Sequence, residues 1–589
     1  MNLFSERNFA MKSFIKIACL VLAVVFVLPA SLIACSNDKD TDTPTETPML
    51  SLLENGKSEY TIVRPDKASN IVVDAVTKLR SSFTEKFGAE PDIKSDWVMK
   101  NETMPEGTKE ILIGNTNRPE SIKAMEEVEA DGFLIKVDGV RVVIVADNDA
   151  MLVNAISYFI KTYITPATDK VEVSSDLIYV GNASQYAPAV ENDDGTVTLK
   201  LKNFVIAYDD SNSQIFVPSV AKAFATRASE LHGLVGATED KSVNQYEILF
   251  GKCDREEFKT TDKTFLFRDY FIGYSNNKLS ISAFSIYGYE RAINYMLENG
   301  FGEDGMTIPV EGIYSEYDYG TGEYAEIYKN YENPGLAGSW IVSVCHRGDV
   351  VTNNYPENSI PSYQSCINNK VDVIETDLKK TKDGVWVICH DKTVNRTTTG
   401  TGTISEMTYA DTQKYYLKTK NGGSGSTRTK YKMPTLVEII ELCKGKCLFN
   451  LDHLDPSMFQ EVYDVFEEQD AVEMAMFKTS AWKASDLIKW FCQLLEDGRE
   501  LPLFSPLLYS DTYAGCQQFT GLTTMVETGR GHSAKTLELI NACNIRAMCL
   551  TALSPDLENH AYYAELKSKG YGGIMNDDPA LLKEFIHGK

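Results

Sequence analysis

Positive charge is scarce in this sequence: 58 Lys and Arg stand against 83 Asp and Glu, a formal net charge of -25 at pH 7. A phosphate backbone or an anionic membrane face would be repelled over most of such an exterior, which argues against a nucleic-acid-binding surface. A small phosphorylated substrate is not excluded, because its site needs only a local cation. A long apolar run is lacking near the N-terminus, where Ile17 to Leu28 is short for a transmembrane anchor. No phosphate-loop consensus is present, so a nucleotide site is not expected. A disulfide framework is lacking as well, although there are 12 cysteines. Cys19 and Cys35 lie in the N-terminal segment, and nine of the other ten fall beyond residue 340. Cys345, Cys389, Cys447 and Cys549 sit in apolar strand-like runs, where buried cysteine behaves as a small hydrophobe. Cys443 and Cys447 form a CxxxC pair without a second pair at zinc-site spacing, and read as structural.

What is present is a targeting segment followed by enough chain for about three globular units. Lys12 and Lys16 precede the apolar run, and Leu32-Ile33-Ala34-Cys35 resembles a bacterial lipobox. That resemblance makes 1–35 a lipoprotein signal with Cys35 as the lipidation site. It implies a membrane partner through the lipid anchor and a place in the bacterial cell envelope, at the outer membrane or on the surface. The Pro/Thr-rich stretch that follows reads as a disordered tether over 36–58.

Residues 60–313 carry one plan twice. Glu110-Ile-Leu-Ile-Gly-Asn-Thr-Asn-Arg118 returns as Glu247-Ile-Leu-Phe-Gly-Lys-Cys-Asp-Arg255, and Asn154-Ala-Ile-Ser-Tyr-Phe-Ile returns as Arg291-Ala-Ile-Asn-Tyr-Met-Leu. Each copy reads as strand, helix, strand, hairpin and closing helix. Val73, Ala75, Val76, Leu79 and Phe83 give the first helical stripe, and Asp138-Gly139 gives the hairpin turn. Two tandem α/β modules are expected, 59–183 and 197–313. They resemble the α/β domains that precede the catalytic barrel in some glycoside hydrolases. They read either as spacers or as modules making a glycan contact, with Arg118 and Arg255 capping carbonyls or holding ligand. A Tyr- and Gly-rich linker, 314–338, leads to the last domain.

From 339 to 589 apolar strands alternate with helices, the pattern of a parallel α/β fold. Nine candidate strands appear: 341–345, 371–377, 385–389, 447–452, 472–477, 503–508, 522–527, 545–551 and 571–575. Lys382-Asp383-Gly384 joins the second and third by a two-residue turn, so these run antiparallel. Parallel neighbours need a crossover of about a dozen residues or more. Strand 385–389 is thus an appendage, and eight strands remain for a (β/α)8 TIM barrel.

Polar residues fall at the C-terminal ends of these strands, where a barrel enzyme keeps its site. Glu375 and Asp377 are two apart and face one side of their strand. Two close carboxylates repel unless a cation holds them, and Asp452 offers a third oxygen. An all-oxygen set favours a hard divalent cation, Ca²⁺ or Mg²⁺. His346 and His390 flank the cluster, and imidazole as a group suits general acid and base work. Arg347 offers donors to phosphate oxygens. Glu527 ends the sixth barrel strand and is placed at the mouth. The polar stretch between His390 and Pro434 reads as a mobile lid.

His346-Arg347-Gly348, Pro356-Glu357-Asn358-Ser359, Glu375-Thr376-Asp377, Thr381-Lys382-Asp383-Gly384 and His390-Asp391 stand in the order and spacing of glycerophosphodiester phosphodiesterases. Arg396-Thr397-Thr398, Pro434-Thr435-Leu436 and Gly573-Ile574-Met575-Asn576-Asp577-Asp578-Pro579 continue the resemblance. It implies a TIM barrel with a divalent metal on Glu375 and Asp377, and catalysis by His346 and His390. It also implies a small phosphodiester substrate cleaved to an alcohol and a phosphomonoester such as glycerol 3-phosphate, with Glu357 at the edge of the site. The third barrel strand departs from the family's Asn-x-Glu-x-Lys: it reads Asn450-Leu451-Asp452-His453-Leu454, and the lysine is missing. Lys478, closing the next strand, is the expected substitute in binding phosphate. Two other readings stay open: a phospholipase C- or D-like activity, and a non-catalytic glycan-binding lipoprotein.

Overall fold

The structure, a computed structural model, describes residues 48–589 apart from 99–106, 183–185, 210–213, 229–233, 237–244, 303, 336–340, 509–511, 553 and 588–589. The signal segment, Cys35 and most of the expected tether lie outside the described residues. Among the described residues no helix is long and apolar enough to cross a membrane.

The tether ends earlier than expected. Met49–Glu54 is a strand that pairs antiparallel with Lys170–Ser174. Leu52 and Leu53 bury completely in the first module's core, which holds this end of the expected tether in place.

Both modules use one sheet order. In the first it is Ile93–Ser95, Thr61–Arg64, Glu110–Ile113, Arg141–Ala146, Phe133–Asp138, Ile178–Gly181. In the second it is Leu234–Gly236, Val205–Tyr208, Glu247–Phe250, Lys278–Ala283, Tyr270–Ser275, Ile313–Ser315. The helix Asn70–Phe87 starts at Ser69, whose hydroxyl accepts from the Val72 N–H, and stops at left-handed Gly88. Its buried stripe is Ile71, Val72, Ala75, Val76, Leu79 and Phe83, with Val73 at the margin. The repeated arginines each hold a carboxylate as well as a carbonyl. Arg118 pairs with Glu110 at 3.0 Å and Arg255 with Glu247 at 2.9 Å, in each copy tying a strand's first residue to the turn after it.

The expected linker is a built bridge. Ile313–Ser315 closes the second module's sheet, and Glu323–Glu332 is a helix with Tyr328, Tyr331 and Glu332 buried. Arg268 of the second module pairs with Glu332 at 2.8 Å among the rings of Tyr287, Tyr317 and Tyr328. Arg546, on a barrel strand, donates to the carbonyls of Tyr331 and Asn330 at 3.0 Å each. One hydrophobic core therefore runs from the second module through this bridge into the barrel.

All nine expected C-terminal strands are present: Val342–His346, Val373–Lys380, Trp386–Ile388, Leu448–Asp452, Ala475–Thr479, Leu503–Leu508, Met525–Thr528, Arg546–Leu550 and Gly573–Asn576. Eight are parallel and close into a barrel, the first pairing with both the second and the last. Trp386–Ile388 pairs antiparallel with the end of the second and stays outside the ring. The expected lid has its own core: Val387, Cys389, Val394, Ile404, Leu417 and Met433 pack together. Among the described residues no cysteine is in a disulfide, and nine of the ten are buried, as their apolar surroundings imply.

Glu290, buried where the second module meets the barrel, accepts the Leu501 N–H at 3.2 Å. Burial pushes its carboxyl up to about 8. A folded-state pKa raised above the unfolded value contributes stability at low pH that is lost as pH rises, here between about 4.5 and 8. Glu290→Gln is therefore expected to resist urea better than the parent at about pH 8 than at about pH 5. Equal differences at the two pH values would contradict the assignment.

Candidate active site

The first barrel strand delivers His346 and then turns sharply, with Arg347 at φ 57° and Gly348 at φ 82°. A Cβ on Gly348 would come within 2.5 Å of Ser362 Oγ, so only glycine fits this turn. The turn points the Arg347 N–H at Glu375 Oε2, 3.1 Å away. His346 Nδ1 lies 2.8 Å from Asp577 Oδ1, just beyond the last strand. That contact exists only because the barrel closes. It leaves Nε2 as the nitrogen free for chemistry.

Glu375 is the register partner of His346 on the second strand, and Asp377 follows on the same face. Both are buried. Burial, then the charge of Asp377, pushes Glu375 well above the usual carboxylate range, against Lys478 and Arg347. Asp377 Oδ2 accepts from Asn358 Nδ2 at 2.8 Å and lies 3.2 Å from Arg347 Nε. Asp377 Oδ1 has no hydrogen-bond partner among the described residues. A buried carboxylate oxygen left bare beside a second, destabilised carboxylate is what a cation would satisfy.

The hairpin arm brings His390, whose Nδ1 is 2.7 Å from Asp391 Oδ1. Arg396 grips Asp391 at 2.8 Å and Glu357 at 2.7 Å, and holds the Asp391 carboxyl well below its usual range. Glu357 also lies 3.6 Å from Arg347 Nη1. One run of charges therefore links the His390 support to the carboxylate pair.

The third strand behaves differently from expectation. Asp452 Oδ2 is 2.5 Å from Lys478 Nζ, and Oδ1 accepts the His453 N–H at 2.7 Å. Burial raises the Asp452 carboxyl, but Lys478 outweighs this and brings it down to about 2. Lys478 is itself buried and lies 2.8 Å from Glu527 Oε2. The lysine expected to grip phosphate thus bridges the two carboxylates expected at the metal and the mouth. The donor atoms drawn together are instead one each from Asp377, His390 and His453, all within 4.8 Å of one another. His453 sits at φ 54°, its ring 4.2 Å from that of His390, and burial lowers its pKa.

The sequence-predicted residues therefore join through register and ion pairs into one site. Asp577, Asn358, Asp391 and Arg396 stood in the quoted motifs without a role. His453 was visible only as a departure from the third-strand pattern. Asn450, fully buried beside Glu375, has both amide atoms unpartnered among the described residues, a feature without a local sequence signal.

Residues 346–493 match the glycerophosphoryl diester phosphodiesterase family. A glycerophosphodiester phosphodiesterase of Caldanaerobacter subterraneus subsp. tengcongensis is 37% identical over 103 residues, 18% of this chain and 40% of the relative. That of Bacillus subtilis is 35% identical over 111 residues, 18% of this chain and 37% of the relative. The chain thus spans about two fifths of the length of these curated relatives. Among solved structures, a glycerophosphoryl diester phosphodiesterase from Parabacteroides distasonis is 24% identical, with a TM-score of 0.38 over 45% of this chain and 92% of the other.

Proposed function

We propose that the C-terminal barrel, whose residues 346–493 match the glycerophosphoryl diester phosphodiesterase family, hydrolyses a glycerophosphodiester to an alcohol and a phosphomonoester such as glycerol 3-phosphate. The observation that carries this reading is the matched support of two imidazoles. His346 Nδ1 rests on Asp577 and His390 Nδ1 on Asp391, on either side of the Glu375 and Asp377 pair. Each carboxylate fixes its ring's tautomer and orientation.

Phosphodiester hydrolysis needs a proton taken from the attacking water and another given to the leaving alkoxide. One imidazole Nε2 performs each transfer. Arg347 presents guanidinium donors to the phosphoryl oxygens, and its pairs with Asp377 and Glu357 hold it in place. Glu375 and Asp377 are the residues that would hold a divalent cation. When bound, it supplies positive charge where the phosphoryl oxygens gain negative charge. An oxygen-only pair favours Ca²⁺ or Mg²⁺.

The test is release of glycerol 3-phosphate from glycerophosphocholine and related diesters by the full chain, with and without EDTA. Activity should vanish with EDTA and return with Ca²⁺ or Mg²⁺. Absence of metal-dependent turnover on every phosphodiester offered would sink the reading. We also propose that lipidation at Cys35 anchors the enzyme in the cell envelope, on the strength of the Leu32–Cys35 pattern. Cys35→Ser should then move the protein from the detergent phase to the aqueous phase, and an unchanged partition would remove the anchor.

A further inference from the structure

His453 has no part in the chemistry above, yet it lies inside it. The third strand ends in Asp452, whose carboxylate is occupied by Lys478 and by the His453 N–H. The chain then turns through the left-handed region at His453 and sets its ring against that of His390, with the planes 66° apart. The one-donor-each grouping of Asp377, His390 and His453 results.

Two independent features make this grouping more than a chance meeting of side chains. Asp377 is wholly buried and its Oδ1 lacks a hydrogen-bond partner among the described residues. His390 is oriented through Nδ1 by Asp391, which Arg396 fixes in turn. A carboxylate behind one ring nitrogen is the usual support of an imidazole that binds metal through the other.

We propose that Asp377, His390 and His453 form a second cation site, selective for borderline transition metals of the Zn²⁺ and Co²⁺ class, whose occupation switches the phosphodiesterase off. Imidazole nitrogen suits these ions, whereas Ca²⁺ and Mg²⁺ take oxygen. The inhibitory half rests on the reading of His390 as a proton-transfer group. Binding forms a dative bond from the neutral His390 Nε2 lone pair to the hydrated ion and breaks a metal–water bond, releasing that water to solvent. While that bond lasts, Nε2 neither accepts nor delivers a proton. Asp377 would belong to both cation sites, so the transition metal also competes with the hard cation for it.

The experiment uses the full chain stripped of metal with EDTA and dialysed. Co²⁺ titration should give visible absorption bands of nitrogen coordination, and Zn²⁺ should abolish them by displacement. Loss of an outer-shell partner of a metal ligand costs about 10–100-fold in affinity, so Asp391→Asn should weaken Zn²⁺ binding by that much. His453→Leu removes a direct donor and should weaken it by at least about 100-fold. His453→Gln is the second variant, with circular dichroism and thermal melting confirming that the variants fold. Zn²⁺ affinity equal in the parent and both His453 variants would overturn the site. With Ca²⁺ or Mg²⁺ supporting turnover, stoichiometric Zn²⁺ should inhibit the parent. Zn²⁺ bound through His453 without inhibition would overturn the inhibitory half. His453-dependent Zn²⁺ binding in a protein that turns over no phosphodiester would sustain the site while sinking the phosphodiesterase reading.

Discussion

Replacing His346 with alanine is expected to lower kcat on a glycerophosphodiester by about 10²–10⁴-fold, the range that a positioned general acid or base contributes. His390→Ala should cost a similar factor. The two variants should differ in pH profile. The parent should show a bell, with one limb for the group that must be neutral and one for the group that must be protonated. Each alanine variant should lose one limb, and the limb lost assigns base and acid to the two rings. Their supports differ: Asp577 lies just beyond the last barrel strand, whereas Asp391 follows His390 directly and is pinned by Arg396. A loss under about 10-fold for either variant, with the fold intact, would remove that histidine from proton transfer.

Arg268→Ala is expected to destabilise the protein by about 3–5 kcal/mol, the loss seen when one partner of a buried ion pair is removed. Glu332 would then be fully buried with only Tyr319, 3.0 Å away, and Tyr328 nearby to offset its charge. Burial already raises the Glu332 carboxyl in spite of Arg268. Without the arginine it rises further, so the loss should be greater at high pH than at low pH. Urea midpoints at the two pH values measure this. Replacing both residues by apolar ones of similar size should restore much of the stability, because desolvation of both charges is then avoided. A loss below about 1 kcal/mol for Arg268→Ala would show that Glu332 finds water or another partner.

Most of the barrel was legible because its signals are local. Strand runs such as Val342–His346 and Arg546–Leu550 carry their own apolar pattern, and Asp383-Gly384 alone places Trp386–Ile388 outside the ring. His346, His390, Glu375 and Asp377 were legible because strand ends and i, i+2 spacing determine where they project. What was not legible depends on closure. Asp577 reaches His346 across 231 residues of sequence, and Lys478 reaches Glu527 across a neighbouring strand. A lysine closing a strand reads the same whether it faces phosphate or two carboxylates. The tether was misplaced because Leu52 and Leu53 look like the edge of a polar stretch until their partner strand, 116 residues on, is known. The packing of the stretch between His390 and Pro434 was not legible, because its apolar residues are scattered singly from Val394 to Met433 and meet only in three dimensions.

The core shared by the second module and the barrel decides where the gene could be cut. The first module keeps a nearly separate interior, so a truncation just after it severs little apolar packing. A truncation at residue 339, where the catalytic domain begins by sequence, would lay bare the surface on which Tyr287 meets Phe491 and donates to the Pro502 carbonyl. Such a product would expose a contiguous apolar patch and tend to aggregate. The smallest well-behaved fragment that keeps the barrel is thus expected to start near residue 187, and the two modules, alike in sheet order, differ in how they are held. One keeps a core nearly its own, and the other shares its core with the barrel.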